Sequence, residues 1–403
     1  MAKKKFDLIT DLYAEAVKEV TASPENWMSF LRSACRNFRL PFDEQILIYV
    51  QRPEASAVLP MKVWNEKFGR WVKRDSKGIA VFDKDSPKLR LKYYYDVSDT
   101  QEGRYRRLLR PVPLWEVPEE YQPDVRETLA NVFGVDETVT GFEGTILEAA
   151  KIAAEDNLVD YLPDLLSERK NSYLEEVDEY NVEVEARQLL SASVAYMVMV
   201  RCGVDTDLYL DTEDFRNITD FNTPEMVNLF GVAASDVAEM ALSEISDTVN
   251  KLRKAERKKI APLPGKRQAD IMKMKTENRL QKGALHMRAI TYSRQGDYLL
   301  PDLTVPDGPE VHLGKYASLR QTYLKEHRYG IYLNLLTTGQ LSSHLNEVQR
   351  EAQERIEVLT GQMKAAWGVT EELKAKDQMA WVQQMNNIRQ AAEEIVMKEL
   401  IYS

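Results

Sequence analysis

Apolar residues recur at helical spacing from Phe6 to Val20, at Phe6, Ile9, Leu12, Tyr13, Val17 and Val20, which predicts an amphipathic helix. Ser23-Pro24-Glu25 supplies a cap, a proline suited to a first helical position and an acid for the first turn. It opens a second helix through Trp27, Phe30, Leu31 and Ala34. Pro41 and Asp43 open a third, covering Ile46 to Tyr49. Val63, Trp64 and Phe68 keep the helical spacing and stop at Gly69; Trp71 and Val72 then lead into a polar turn, Asp75 to Gly78, and Ile79 to Phe82 reads as a strand. A second strand, Arg90 to Val97, alternates: Leu91, Tyr93, Tyr95 and Val97 share one face, and Arg90, Lys92 and Tyr94 the other. The small helices are expected to pack on these two strands.

From Pro118 onward the pattern is helical. Glu148–Leu166 and Val182–Val200 are helices by spacing, the second so apolar over Leu189, Leu190, Val194, Met197 and Val198 that it must be buried, and Gly203 ends it. Thr223-Pro224-Glu225 starts another, and Ala233–Leu252 runs into a basic tract broken by Pro262-Leu263-Pro264-Gly265. Leu313–Leu336 reads as a helix pair interrupted near Tyr329-Gly330. Two long helices, Ser342–Trp367 and Thr370–Ile401, flank Gly368. Their apolar faces, Leu345, Val348, Ile356, Leu359 and Met363 on one and Leu373, Met379, Val382, Met385, Ile388, Ala392 and Ile395 on the other, suit an antiparallel hairpin. The fold class expected is an α+β N-terminal domain, a small sheet with helices, then mostly α, ending in a long-helix hairpin or bundle. The expected divisions are 1–117, an acidic helical domain 118–250, a basic linker 251–285 and a helical domain 286–403.

Charge sharpens these boundaries. The 403 residues carry 54 Lys and Arg against 64 Asp and Glu, a net charge of -10 that by itself argues against nucleic acid. Its distribution is uneven. Residues 1–117 hold 22 basic and 16 acidic side chains, 118–250 hold 7 and 30, and 251–403 hold 25 and 18, giving +6, −23 and +7. The tract Lys251–Lys282 has 12 basic residues against 3 acidic and reads as a linker. Two distant cysteines, Cys35 and Cys202, define no disulfide or metal framework. The start MAKKKFDLI lacks an apolar signal core, and no run approaches the ~20 apolar residues of a membrane span, so a cytoplasmic location is expected.

The candidate chemistry lies in the first third. Lys62, Lys67, Arg70, Lys73, Arg74 and Lys77 interleave with Trp64 and Trp71; Lys92 and Tyr94 share a strand face; and Arg104, Tyr105, Arg106 and Arg107 follow. Cations along a groove neutralise phosphates, and exposed rings stack on bases for about 1–3 kcal/mol each, which is what a sequence-tolerant single-strand site requires. The competing reading places the tryptophans and Tyr93–Tyr95 in a core. Elsewhere the chain offers no phosphate loop, nucleophile elbow, dinucleotide fingerprint or Cys/His ligand set. Asp205, Asp207, Asp211, Glu213 and Asp214 fail the EF-hand template, with Leu210 where glycine is needed and Arg216 where the bidentate glutamate belongs, so they read as caps and turns. His312 and His344 read as surface residues, and no cofactor or metal is expected.

The combination Trp64, Gly69-Arg70, Val72-Lys73 and Lys77-Gly78 before an apolar strand, with FDEQILIYVQRPEASAV upstream and KLRLKYYYDVSDT downstream, resembles the N-terminal domain of ArdC-type antirestriction proteins over about the first hundred residues. Asp75-Ser76 stands where that family usually has Gly-Glu. The resemblance implies binding of single-stranded DNA. In the family a zinc metalloprotease-like domain follows, with HExxH and a later carboxylate. SASVAYMVMVRCGVDTD is similar to the helix bearing that later ligand, but Ser191–Ser193 supply no carboxylate and all four histidines lie beyond residue 285. The region is therefore expected to be degenerate and the protein non-enzymatic. GDYLLPDLTVP at Gly296–Pro306 and DQMAWVQQMNNIRQAAEEIVMKELIY at the end resemble the transposon-encoded TnpV family over about residues 286–403. Together these resemblances imply an accessory protein of a mobile genetic element that binds single-stranded DNA. The alternative is an anti-defence inhibitor whose acidic middle mimics DNA and blocks a nuclease or helicase. The C-terminal helices offer a surface for oligomerisation, and no membrane partner is expected.

Overall fold

The computed structural model describes residues 7–84, 90–102, 117–259, 290–305 and 314–402. It divides into two compact units, Met1–Phe82 with Leu91–Thr304, and Asp83–Arg90 with Val305–Ser403. The class is α+β at the N-terminus and mostly α beyond it.

The first unit opens with β1 (Asp7–Leu8), α1 (Ile9–Val20), α2 (Pro24–Ala34) and α3 (Phe42–Gln51). Ser23 caps α2 by accepting from the Asn26 amide at 3.3 Å. Short elements follow: β2 (Val58–Pro60), α4 (Met61–Phe68), β3 (Arg70–Val72), β4 (Ile79–Asp83), β5 (Arg90–Asp96) and β6 (Thr100–Glu102). Then come the long helices α5 (Gln122–Phe133), α6 (Phe142–Glu168), α7 (Glu179–Cys202) and α8 (Pro224–Lys259), and last β7 (Tyr292–Gln295), β8 (Tyr298–Pro301) and β9 (Leu303–Thr304). The strands order β2-β5-β4 in one sheet, with β2 antiparallel to β5 through Val58 opposite Asp96. Antiparallel β3/β6 and β7/β8 pairs and a parallel β1/β9 pair stand outside it.

The boundary expected at residue 117 does not separate two cores. Helices α1–α3 pack into the same interior as α7 and α8: Tyr13 donates to Asn228 Oδ1 at 2.7 Å, the Trp27 indole to Ser193 Oγ at 3.0 Å, and Gln45 to Ser235 Oγ at 2.8 Å. Eight consecutive residues of α3, Phe42 to Tyr49, are buried, too many for a sheet to cover from one side. The composition shift at Pro118 reflects the outer faces of the acidic helices, and their inner faces are apolar. The two helices expected after Thr223 are one, α8, 36 residues long. Gly231 lies inside it, and a Cβ there would come within 2.2 Å of the Phe42 ring, so the glycine makes room for Phe42 of α3 against α8. As expected of caps, Asp205 and Asp211 accept from the amides of Asp207 (3.2 Å) and Glu213 (2.8 Å) at the starts of 3-10 turns.

The second unit holds α9 (Lys315–His327), α10 (Tyr329–Thr337), α11 (Leu341–Ala366), α12 (Glu371–Lys376) and α13 (Gln378–Val396), closed by a π turn at Met397–Ile401. Gln349 of α11 reaches the start of α9, its Oε1 accepting from the amides of Tyr316 (3.0 Å) and Ala317 (3.1 Å). The expected helix Thr370–Ile401 is broken at Asp377, which leaves helical geometry (φ −148°) and caps α13 through the Ala380 amide at 3.0 Å. Helices α11 and α13 bury Leu345, Val348, Ala352 and Leu359 with Met385, Ile388, Ala392 and Val396. Met379, 84 % exposed, and Val382 lie outside that interior, because the buried stripe of α13 runs from Trp381 through Met385, Ile388, Ala392 and Val396 at helical spacing and leaves both to one side. Among the described residues no helix is long and apolar enough to cross a membrane.

Candidate nucleic-acid interface

The candidate residues separate into a buried set and an exposed set. Helix α4 ends at Gly69, and the chain enters β3, which pairs with β6 so that Trp71 lies opposite Gln101 and Val72 opposite Thr100. Alternation sends Val72 inward and Trp71 outward, where it is 55 % exposed. Trp64, on the inner side of α4, is fully buried against Val72, Tyr95 and Phe68, and its indole N–H donates to the Tyr95 carbonyl at 2.8 Å.

The cationic and aromatic face expected on Arg90–Val97 is not offered to solvent. β5 is the middle strand of its sheet, which pairs both of its edges; of its faces, one packs on the Trp64 cluster and the other meets Glu44 of α3, leaving Arg90 at its start exposed. Tyr94 is buried and donates to Glu44 Oε2 at 2.8 Å; Lys92 Nζ lies 2.9 Å from Glu44 Oε1. Burial pushes the Tyr94 hydroxyl up from its ordinary value, and the neighbouring Glu44 charge adds to the shift. Trp64 and Tyr94 are therefore core residues and cannot serve as stacking platforms, and Lys92 is committed to an internal carboxylate. Arg104, Tyr105, Arg106 and Arg107 lie outside the described residues.

The remaining cations gather around β3 and the turn after it. Lys62 and Lys67 are exposed on α4. Arg70 donates to Thr100 Oγ1 at 2.6 Å and to the Thr100 carbonyl at 3.2 Å, and Lys73 donates to the Ser98 carbonyl at 2.8 Å. Arg74 is largely exposed, 3.8 Å from Asp297. Lys77 Nζ stands 4.9 Å from the Tyr292 ring centroid. Asp75, in the position where the resembled family has glycine, adopts a left-handed φ of 60°, a conformation that aspartate tolerates better than most residues, and it pairs with Arg294 at 2.7 Å. The surface thus presents one exposed indole among cations, several of them oriented by backbone carbonyls and two balanced by Asp75 and Asp297.

Sequence reasoning missed the contribution of the β7/β8 hairpin, more than two hundred residues downstream. The Asp75 amide donates to the Asp297 carbonyl (2.8 Å), the Gly78 amide to the Leu299 carbonyl (2.8 Å), and the Leu299 amide to the Ser76 carbonyl (3.1 Å). Tyr298 packs on Tyr95 with ring centroids 5.7 Å apart. Nothing in either local stretch signals this pairing, since main-chain docking leaves no period of its own.

Among the described residues no group of three or more His, Cys, Asp or Glu side chains is arranged to hold a metal ion. Ser193 is buried and accepts the Trp27 indole N–H. Cys35 and Cys202 are also buried, and burial pushes their thiols up to about 11 and about 12. His344, expected at the surface, is half-buried with its Nε2 3.5 Å from Arg320 Nε.

In comparisons with known proteins, the family described as transposon-encoded protein TnpV matches residues 291–401. The C-terminal part of the chain is thus similar to a transposon-encoded family, and the matched segment begins at the β7/β8 hairpin. No curated protein and no solved structure matches the chain.

Proposed function

We propose that the protein is a non-enzymatic accessory factor of a mobile genetic element whose N-terminal unit binds single-stranded DNA, as the ArdC-like domains that it resembles do. The observation that carries this reading is the exposed Trp71 on β3, with Lys73 and Arg74 directly after it and exposed Lys62 and Lys67 on the preceding helix. A single ring of this kind supplies sequence-tolerant stacking, and the cations supply phosphate contacts whose strength falls with salt. The TnpV match supports the association with a transposon.

Fluorescence anisotropy of the full chain with single-stranded and duplex oligonucleotides across a salt series tests it. Trp71→Ala is expected to weaken single-strand binding by about tenfold, in line with the stacking energy of one base. Lys73→Glu with Arg74→Glu should weaken it further and flatten the salt slope by roughly 0.7 for each phosphate no longer neutralised. A salt-independent signal, or full affinity in both variants, would overturn the reading.

A second reading, the anti-defence inhibitor, draws on the like-charged surface of the middle helices. Burial raises the Glu168 carboxyl, and nearby Glu225 and Asp164 raise it further; burial and Asp220 do the same to Glu185. Such a surface would lower its repulsion by meeting a basic groove. If this reading holds, the full chain inhibits a DNA-cleaving nuclease competitively with DNA, and the triple neutralisation of exposed Glu155, Asp156 and Asp160 to their amides relieves the inhibition. Equal inhibition by the neutralised variant would remove this alternative.

A further inference from the structure

The β7/β8 hairpin closes on a two-residue turn, Gly296-Asp297, with Gly296 at a left-handed φ of 62°, the conformation that a tight hairpin requires of its first turn residue. Leu299 then pairs in parallel with Lys77, and main-chain bonds from Asp75, Ser76 and Gly78 hold the two turns side by side. The approach is close: a Cβ on Gly78 would lie 2.9 Å from Leu300 Cδ2. The compact unit that holds this hairpin runs to Thr304, so the first residues of the TnpV match belong structurally with the N-terminal unit.

Across this junction the two turns exchange charges. Arg294 of the hairpin pairs with Asp75 at 2.7 Å, and Arg74 lies 3.8 Å from Asp297 of the hairpin. The Arg294 Nε also donates to the Gly296 carbonyl at 3.2 Å, so its own turn aims the guanidinium. All four side chains are more than half exposed. Exposed ion pairs contribute little to stability. The docking rests instead on the main chain, on Tyr298 against Tyr95 and on Leu300 against Gly78. The rim charges can therefore change partners without loosening the hairpin, and a guanidinium presents the same forked donors to a carboxylate or to a phosphate. Arg52, near Tyr292, is not one of them, since Asp99 and Glu54 take it up. As a latch the two pairs would be weak. As a phosphate-binding rim they extend the run Lys73-Arg74 by an arginine from beyond the basic tract.

We infer that the β7/β8 hairpin is the second side of the strand-binding surface, with Arg74 and Arg294 as phosphate contacts that Asp297 and Asp75 hold in place until a phosphate displaces the carboxylates. The inference rests on the single-strand reading proposed above and adds to it Arg294 and the two counter-ions. Strand affinity is then set by competition between aspartate and phosphate for each arginine. Removing the charge of an aspartate strengthens binding, and removing Arg294 weakens it. Asparagine, like aspartate, tolerates the left-handed φ of residue 75, so Asp75→Asn takes away the charge and keeps the turn.

Anisotropy of the full chain with a fluorescent single-stranded oligonucleotide across a salt series reads both effects. Asp75→Asn and Asp297→Asn should each tighten binding by about threefold, the scale of one exposed ion pair. Arg294→Ala should weaken it by about fivefold and reduce the salt slope by roughly 0.7, one phosphate contact. Lys151→Ala removes another exposed cation, on the acidic helix α6, and should leave affinity unchanged; a loss there equal to that of Arg294→Ala would reduce Arg294 to its share of the net charge and overturn the inference. A melting temperature lowered by Arg294→Ala would mark the residue as a latch and do the same. Ser293→Cys places a thiol-reactive dye on β7, Cys35 and Cys202 being buried, and a strand carrying a quencher should dim it. The parent chain and Trp71→Ala distinguish the two ideas. No strand binding by the parent removes the single-strand reading and this inference with it. Binding that Trp71→Ala weakens, but that ignores Arg294→Ala and both aspartate variants and leaves the dye bright, removes the hairpin alone.

Discussion

Trp64→Ala is expected to destabilise the N-terminal unit by about 3–5 kcal/mol, the usual range for emptying a buried tryptophan site. The residue is fully buried, packs beside Phe68 at 5.3 Å between ring centroids, and holds the Tyr95 carbonyl through its indole N–H. Removing it leaves both a void and an unsatisfied buried carbonyl. Its neighbour in sequence behaves differently. Trp71→Ala should change stability by no more than about 0.5 kcal/mol, as exposed substitutions generally do, while lowering strand affinity. Urea unfolding followed by fluorescence compares the two. Equal stability losses in both variants would show that Trp71 is also part of the core and would leave the proposed interface without its ring.

Asp96→Ala should cost about 2–3 kcal/mol at neutral pH, on the scale of a hydrogen-bonded charged group, and the cost should shrink in acid. The Asp96 carboxylate is buried at the end of β5 and accepts from the amides of Ser56 (2.8 Å), Ala57 (3.0 Å) and Ser98 (2.9 Å) and from the Ser98 hydroxyl (2.5 Å). Burial alone would raise its pKa. The Ser98 hydroxyl and the three amides more than offset that and hold it below the ordinary aspartate value. A group whose folded pKa is depressed stabilises fully above its unfolded pKa, about 3.9, and loses that contribution as the pH falls through the folded value. The difference between the parent chain and Asp96→Ala is therefore expected to be constant from neutral pH down to about pH 5 and to narrow below about pH 4. Denaturant melts at neutral and acid pH measure it. A gap of unchanged size under acid conditions would mean that the carboxylate's charge contributes nothing to holding the segment Ser56–Ala57 against β5.

Much of the local architecture is legible in the residues. Ser23 caps α2 as its spacing implies, Asp205 and Asp211 cap turns, and the apolar run Leu189–Val198 is buried inside α7. Where expectation and structure part, the cause is a partner distant in sequence or a better local start for a helix. Alternation along a strand gives two sides without saying what covers each, so Tyr94 and Lys92 read as an open face; Glu44, on α3, covers theirs. The stretch Thr370–Ile401 carries a suitable apolar stripe for one helix, but Asp377 makes a better start for α13 than an interior residue, and the stripe breaks there.

The sequence by itself determined that the segments of α1 to α4 and α7 are helical, that Ile79–Phe82 and Arg90–Val97 hold strands, and that cations and rings are interleaved near Trp71, because each of these follows from interactions within a turn or from a period of two or 3.6 residues. Tertiary structure decided which tryptophan is buried and which is exposed, that α1–α3 share an interior with the acidic helices, and that a hairpin from beyond the basic tract docks beside Ser76–Gly78. Burial and strand pairing are properties of two segments at once, and no local pattern in one of them specifies the other.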